Sequence, residues 1–158
     1  MLSFTPTEEQ HMLTDAVRRY STNDVRPLSH EADENGSFPD SLLRKGWELG
    51  ILPGNIPEAL GGFGESYSAV TGVLAYEELA YGDLSLALHL MAPALVAVPL
   101  IVAGTDEQRA SLLPLFLDEA APPVTAALIE PAVFFNAHRP ATTAAPDNGH
   151  FILNGKKA

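Results

Sequence analysis

Four groups of residues in this 158-residue sequence are of types that can do chemistry. The first is the stretch 55–66, "NIPEALGGFGES", with glycines at 61, 62 and 64. Clustered glycines can bring backbone N–H groups onto a phosphate at a helix N-terminus. Such loops also carry a Gly-Lys-Ser/Thr ending or a third spaced glycine after a strand, and "GGFGESY" has neither. The glycines read instead as a tight turn between helices. The second group, "GESYS" at 64–68, lacks the closing glycine of a nucleophile elbow. Ser66 therefore reads as a helix-start serine.

The third group is the carboxylate pair Glu77 and Glu78. Adjacent helical residues point about 100° apart, so the two cannot share a substrate unaided. One is expected in solvent and the other in a helix contact. The fourth is the five histidines, at 11, 30, 89, 138 and 150. They show no i, i+4 pairing and no His-Glu-x-x-His motif, and no metal site is expected. His89, on an apolar helix, reads as a core histidine with a hydrogen-bond partner.

The elements that must position these residues are mostly helical. Thr7 and Gln10 have capping-box spacing, and Met12, Leu13, Ala16, Val17 and Tyr20 recur on one face. Pro27 bends or restarts this helix, which runs out at Gly36. Pro39 opens a second helix that stops at Gly50, and a third spans about 66–81. Asp83 caps a fourth, the uncharged run "LSLALHLMAPALVAVPLIVA" at 84–103. Thr105 and Gln108 repeat the capping box for a fifth helix, to about residue 117. Beyond it, "VTAALI" at 124–129 and "HFIL" at 150–153 are strand-like, with turn signals at Asp147-Asn148-Gly149 and Asn154-Gly155. A helical domain over 1–120 thus gives way to an incomplete β domain over 121–158.

Composition narrows the partners. Twenty acidic residues against nine basic give a formal charge of −11, which repels nucleic acid. The absence of cysteine rules out disulfides and thiolate metal ligation within the sequence. No basic segment followed by an apolar run marks the N-terminus as a secretory signal, and a cytoplasmic location is expected. The run 84–103 is long enough to span a bilayer, but it contains His89, Pro93 and Pro99 and has acidic flanks. It reads as a core helix of a larger protein, with no membrane span.

Seven stretches, in order along the chain, resemble landmarks of the acyl-CoA dehydrogenase family. They are "FTPTEEQ" at 4–10, "FPDSLLRKGWELGIL" at 38–52, "IPEALGGFG" at 56–64, "EELAYGD" at 77–83, "AGTDEQR" at 103–109, "IEP" at 129–131 and "FILNGKKA" at 151–158. The resemblance implies a mainly α fold: an N-terminal multi-helix orthogonal bundle followed by the first strands of a β-barrel-like middle domain, part of a longer α+β flavoenzyme. It implies FAD as cofactor, an acyl-CoA substrate, an electron-transfer flavoprotein or similar acceptor, and a homo-oligomer, dimer or tetramer. In such enzymes a carboxylate, carried by a C-terminal domain in most members, removes the α-proton while the β-hydrogen leaves as hydride to flavin N5. No catalytic residue is expected within these 158, and the isolated chain is expected to be inactive.

By the same resemblance, Leu128, Ile129, Glu130 and Pro131 are the expected cofactor-binding residues, and Leu88, Met91, Leu95 and Phe135 the expected substrate-binding ones. The alternative for Leu88, Met91 and Leu95 is plain core packing. The family loop reads approximately Thr-Glu-Pro-Gly-x-Gly-Ser-Asp, and at 129–136 only Glu130 and Pro131 match it. Ile129 replaces a hydroxyl, and Phe134 and Phe135 replace a glycine and a serine. Each lost hydrogen bond weakens flavin binding by about 1 kcal/mol, while backbone contacts from Leu128 or Ile129 can persist. Two other functions stay open: a non-catalytic partner subunit of a dehydrogenase assembly, and a free-standing helical interaction module.

Overall fold

The computed structural model describes residues 5–158, so Phe4 of the first landmark lies outside the described residues. The chain forms two compact units, one ending at Thr125 and the other Ala126–Ala158.

The first unit is helical. Helix α1 (Glu8–Tyr20) starts at the expected capping box: Thr7 Oγ1 accepts from the Gln10 amide, and Gln10 Oε1 accepts from the Thr7 amide. A single wide turn, Ser21–Val25, with i→i+5 character, joins it to α2 (Arg26–Asn35). Pro27 sits in the first turn of α2, directly after the wide turn. Gly36 closes α2 at φ 67°, and Gly50 follows α3 (Asp40–Trp47) at φ 68°. These left-handed conformations are open to glycine and strained for most other residues.

Helix α4 (Ala69–Gly82) starts later than the sequence suggests. Ser68, not Ser66, is its cap, accepting from the Thr71 amide. Asn55 Oδ1 takes the Ser68 N–H at 2.8 Å, which holds residue 68 in an extended conformation just before the helix. Asp83 caps α5 (Leu84–Met91) as expected.

The uncharged run is two helices rather than one. α5 ends at Met91, α6 (Ala94–Ala103) begins after Pro93, and the two are bent by 41°. Pro93 has no N–H to continue the first ladder and is well placed to start the second. Among the described residues no single helix is long and apolar enough to cross a membrane. Thr105 and Gln108 then form the second capping box, at α7 (Asp106–Leu112), which tightens into a 3₁₀ turn at Leu113–Phe116.

α1 packs on α4, α4 on α5, and α5 on α3. One core cluster centres on Val17, Tyr20, Leu42, Leu79, Leu86 and Leu90, and another on Trp47, Leu52, Ile56, Ile101, Leu113 and Phe116. His89 is exposed, not part of the core as expected, because Leu86, Ala87, Leu90 and Met91 take the inner face of α5.

The second unit holds an antiparallel hairpin, β1 (Thr143–Asp147) and β2 (His150–Asn154), with Ala145 opposite Ile152. Asn148 (φ 48°) and Gly149 (φ 85°) make the expected tight turn. Two expectations fail here. "VTAALI" at 124–129 forms no strand among the described residues; the partner of "HFILN" is "TAAPD", whose alanines and proline had masked it. Asn154-Gly155 makes no hairpin turn. Gly155 instead lies so close to Thr142 that a Cβ there would come within 2.3 Å of its Oγ1.

Candidate functional site

In the helical unit, the glycine-rich stretch is a packed turn. Gly61 closes the 3₁₀ turn Glu58–Leu60 at φ 89°, and a Cβ on Gly62 would lie 2.1 Å from the Ile56 carbonyl oxygen. Gly64 donates to that same carbonyl and accepts from the Glu58 amide. The amides of 62, 63 and 64 all bond neighbouring carbonyls, leaving none of the three for a phosphate.

The carboxylate pair divides as the helical geometry requires. Glu77 is exposed, and Glu78 forms a two-point ion pair with Arg18 of α1, its Oε2 accepting from Arg18 Nε at 3.0 Å. They share with Thr22 and Tyr81 an open cleft of about 450 Å³. Glu78 is thereby a link between α1 and α4. Among the described residues no group of three or more His, Asp or Glu is arranged to hold a metal.

The expected acyl-tail residues separate. Leu88 is 63% exposed and Leu95 55% exposed, whereas Met91 is 5% exposed and packs with Leu86, Leu90 and Leu79 in the core. An ordinary ligand can reach the first two only.

In the second unit the expected cofactor residues form an ordered segment. Glu130, 7% exposed, accepts from the Ala141 amide at 2.6 Å, the Thr142 amide at 2.9 Å and Lys157 Nζ at 3.0 Å. The Thr142 side chain, then the Ala141 and Thr142 amides, hold its carboxyl at about 2, against the cost of burial and with further help from Lys157. The Thr142 hydroxyl itself is buried and has no hydrogen-bond partner of good geometry. Lys157 Nζ also donates to the Leu128 carbonyl at 3.3 Å, and the Ala158 amide to the Ile129 carbonyl at 2.9 Å.

Both carbonyls of Leu128 and Ile129 are thus taken, while their amides meet no acceptor among the described residues. Two unbonded N–H donors flanked by exposed aliphatic side chains suit a planar ring with acceptors on its edge, so the segment fits FAD through its backbone. Glu130 has no free oxygen to add to that contact. Pro131 is exposed and offers no N–H; Phe135 is half-buried, and Phe134 is 93% exposed. Lys157, which completes the Glu130 cluster, is a site residue that sequence reasoning did not single out. Only the landmark "FILNGKKA" contained it.

A helical unit of capped, crossing helices followed by a hairpin-bearing segment is an architecture with clear relatives. The acyl-CoA dehydrogenase N-terminal domain family matches residues 7–120. The chain belongs to the acyl-CoA dehydrogenase family. It is 32% identical, over 99% of its length and 38% of the relative's, to probable medium-chain specific acyl-CoA dehydrogenase 2, mitochondrial, of Caenorhabditis briggsae. Butyryl-CoA dehydrogenase from Megasphaera elsdenii superposes with a TM-score of 0.79 at 27% identity, covering 99% of this chain and 41% of that one. An acyl-CoA dehydrogenase complexed with FAD from Bacillus anthracis gives 0.71 at 27% identity, covering 99% and 27%. The chain therefore spans about two fifths of the length of the curated relatives it matches.

Proposed function

We propose that this chain is the N-terminal portion of an FAD-dependent dehydrogenase that oxidises an acyl-CoA to a 2-enoyl-CoA. The observation that carries the reading is the family match over residues 7–120, supported by relatives of the same activity across 99% of the chain. When bound, FAD supplies the hydride acceptor for the oxidation. The chain's own contribution is positional: the Leu128 and Ile129 amides hold the cofactor, and Leu88 and Leu95 contact the acyl tail and exclude water from it. The carboxylate base belongs to another part of the protein, so the 158 residues alone are inactive.

A homo-oligomer, an electron-transfer flavoprotein as acceptor and a cytoplasmic location are parts of the same proposal. Flavin released by heat from the purified full-length protein and identified by chromatography tests it. FAD in near-equimolar amount supports the reading, and a colourless protein refutes it.

The departure of 129–136 from the family pattern favours one second reading, a non-catalytic partner subunit. It predicts co-purification with a flavin-bearing homologue, and a yellow, active homo-oligomer excludes it.

A further inference from the structure

Glu130 is a buried carboxylate with no outward oxygen left for a ligand, and its contacts form a pattern. Two of its donors, the amides of Ala141 and Thr142, immediately precede β1. The third, Lys157, lies three residues past β2. Glu130 therefore ties together both open ends of the hairpin, and Gly155 permits the close approach because any side chain there would strike Thr142. Through the same lysine and the Ala158 amide, the carbonyls of Leu128 and Ile129 are drawn onto the residues that follow β2.

A two-stranded hairpin is marginal on its own, and both strands here are exposed along their length. A buried carboxylate bonded to both of its open ends, with Lys157 as its counter-charge, holds those ends together where strand pairing is weakest. Removing Lys157 leaves the Glu130 carboxylate buried without its counter-charge, on the two amides alone.

We infer that Glu130 and Lys157 are positioning residues: by engaging the hairpin ends and the Leu128 carbonyl, they fix segment 128–130 so that its two free amides face the flavin. This rests on the function proposed above. Glu130 acts through the backbone and does not itself touch the cofactor.

The test uses the full-length protein with Glu130→Gln, Lys157→Met and Lys157→Arg. Glu130→Gln and Lys157→Met are expected to raise the FAD dissociation constant by about tenfold or more, the scale of losing a charged hydrogen bond. Both are expected to shift the visible flavin absorption bands and to speed amide hydrogen exchange at 141, 142 and 158. Lys157→Arg, which keeps the charge and the donors, is expected to restore both. A merely structural role would lower thermal stability yet leave the spectrum and affinity of the folded protein unchanged. A yellow parent whose variants match it in affinity and spectrum overturns this inference alone; a colourless parent overturns the proposed function and this inference with it.

Discussion

Tyr20 Oη donates to the Leu42 carbonyl at 2.8 Å, and both residues are buried. The bond joins α1 to α3 across the main core, and burial first, then Asp24, raises the Tyr20 phenol well above its ordinary range. Gly46 makes the approach possible, because a Cβ there would lie 2.7 Å from Tyr20 Oη and 2.5 Å from Leu90 Cδ1. Tyr20→Phe leaves the Leu42 carbonyl buried without this donor and is expected to cost about 1–3 kcal/mol in urea unfolding. Gly46→Ala drives a Cβ into the ends of two buried side chains, Tyr20 and Leu90, and is expected to cost about 1–2 kcal/mol.

Gly62→Ala is expected to be more damaging, at about 3 kcal/mol, since its Cβ would meet the Ile56 backbone rather than side-chain ends. Chemical unfolding of the two glycine variants side by side checks the order. Equal losses would mean that the turn at 61–64 relaxes freely.

Much of this was legible in advance because the deciding chemistry is local. Thr7 with Gln10 and Thr105 with Gln108 are capping boxes in sequence and in structure, Asp83 caps α5, and Asn148-Gly149 turns the hairpin. What sequence reasoning missed depends on distant partners. Asn55, thirteen residues upstream, sets the start of α4 at Ser68. β2 pairs with the unpromising "TAAPD" because the turn dictates the register, and that leaves "VTAALI" unpaired. Pro93 was seen, yet a 20-residue apolar pattern concealed that it divides two helices. At the site, the resemblance supplied Glu130 as a ligand residue. Its partner Lys157 lies 27 positions away, and no periodicity links the two.

Trp47 is the single tryptophan, buried, with Nε1 donating to the Asp118 carbonyl at 2.9 Å. Its emission is expected to be blue-shifted in the folded chain and to move to the red as the helical unit unfolds. Trp47→Phe keeps most of the packing but leaves that carbonyl without this donor, at a cost of about 1 kcal/mol by circular dichroism. An unshifted native emission would contradict the burial.

The Glu130 cluster makes the second unit sensitive to acid. Its carboxyl titrates at about 2 in the folded chain against an ordinary 4.5, so the unfolded state binds the proton more readily. The stabilisation is complete above about pH 4.5 and is lost as pH falls toward 2. Hydrogen exchange over 137–145, corrected for its intrinsic pH dependence, is expected to lose protection in this window. Glu130→Gln is expected to abolish the step.

Leu84, Leu88, Leu95 and Val102 are exposed on α5 and α6. The isolated 158-residue chain is expected to self-associate through these side chains, and Leu88→Ser with Leu95→Ser to reduce that association. Light scattering on the purified chain and the double variant decides. A monodisperse monomer would favour the free-standing interaction module.

The central claim is tested most directly by anaerobic titration of the full-length protein with saturated acyl-CoA thioesters of increasing chain length. The account predicts that at least one bleaches the oxidised flavin band and yields the matching 2-enoyl-CoA in stoichiometric amount. A protein that holds flavin but is bleached by none of them, or that holds no flavin at all, would contradict it.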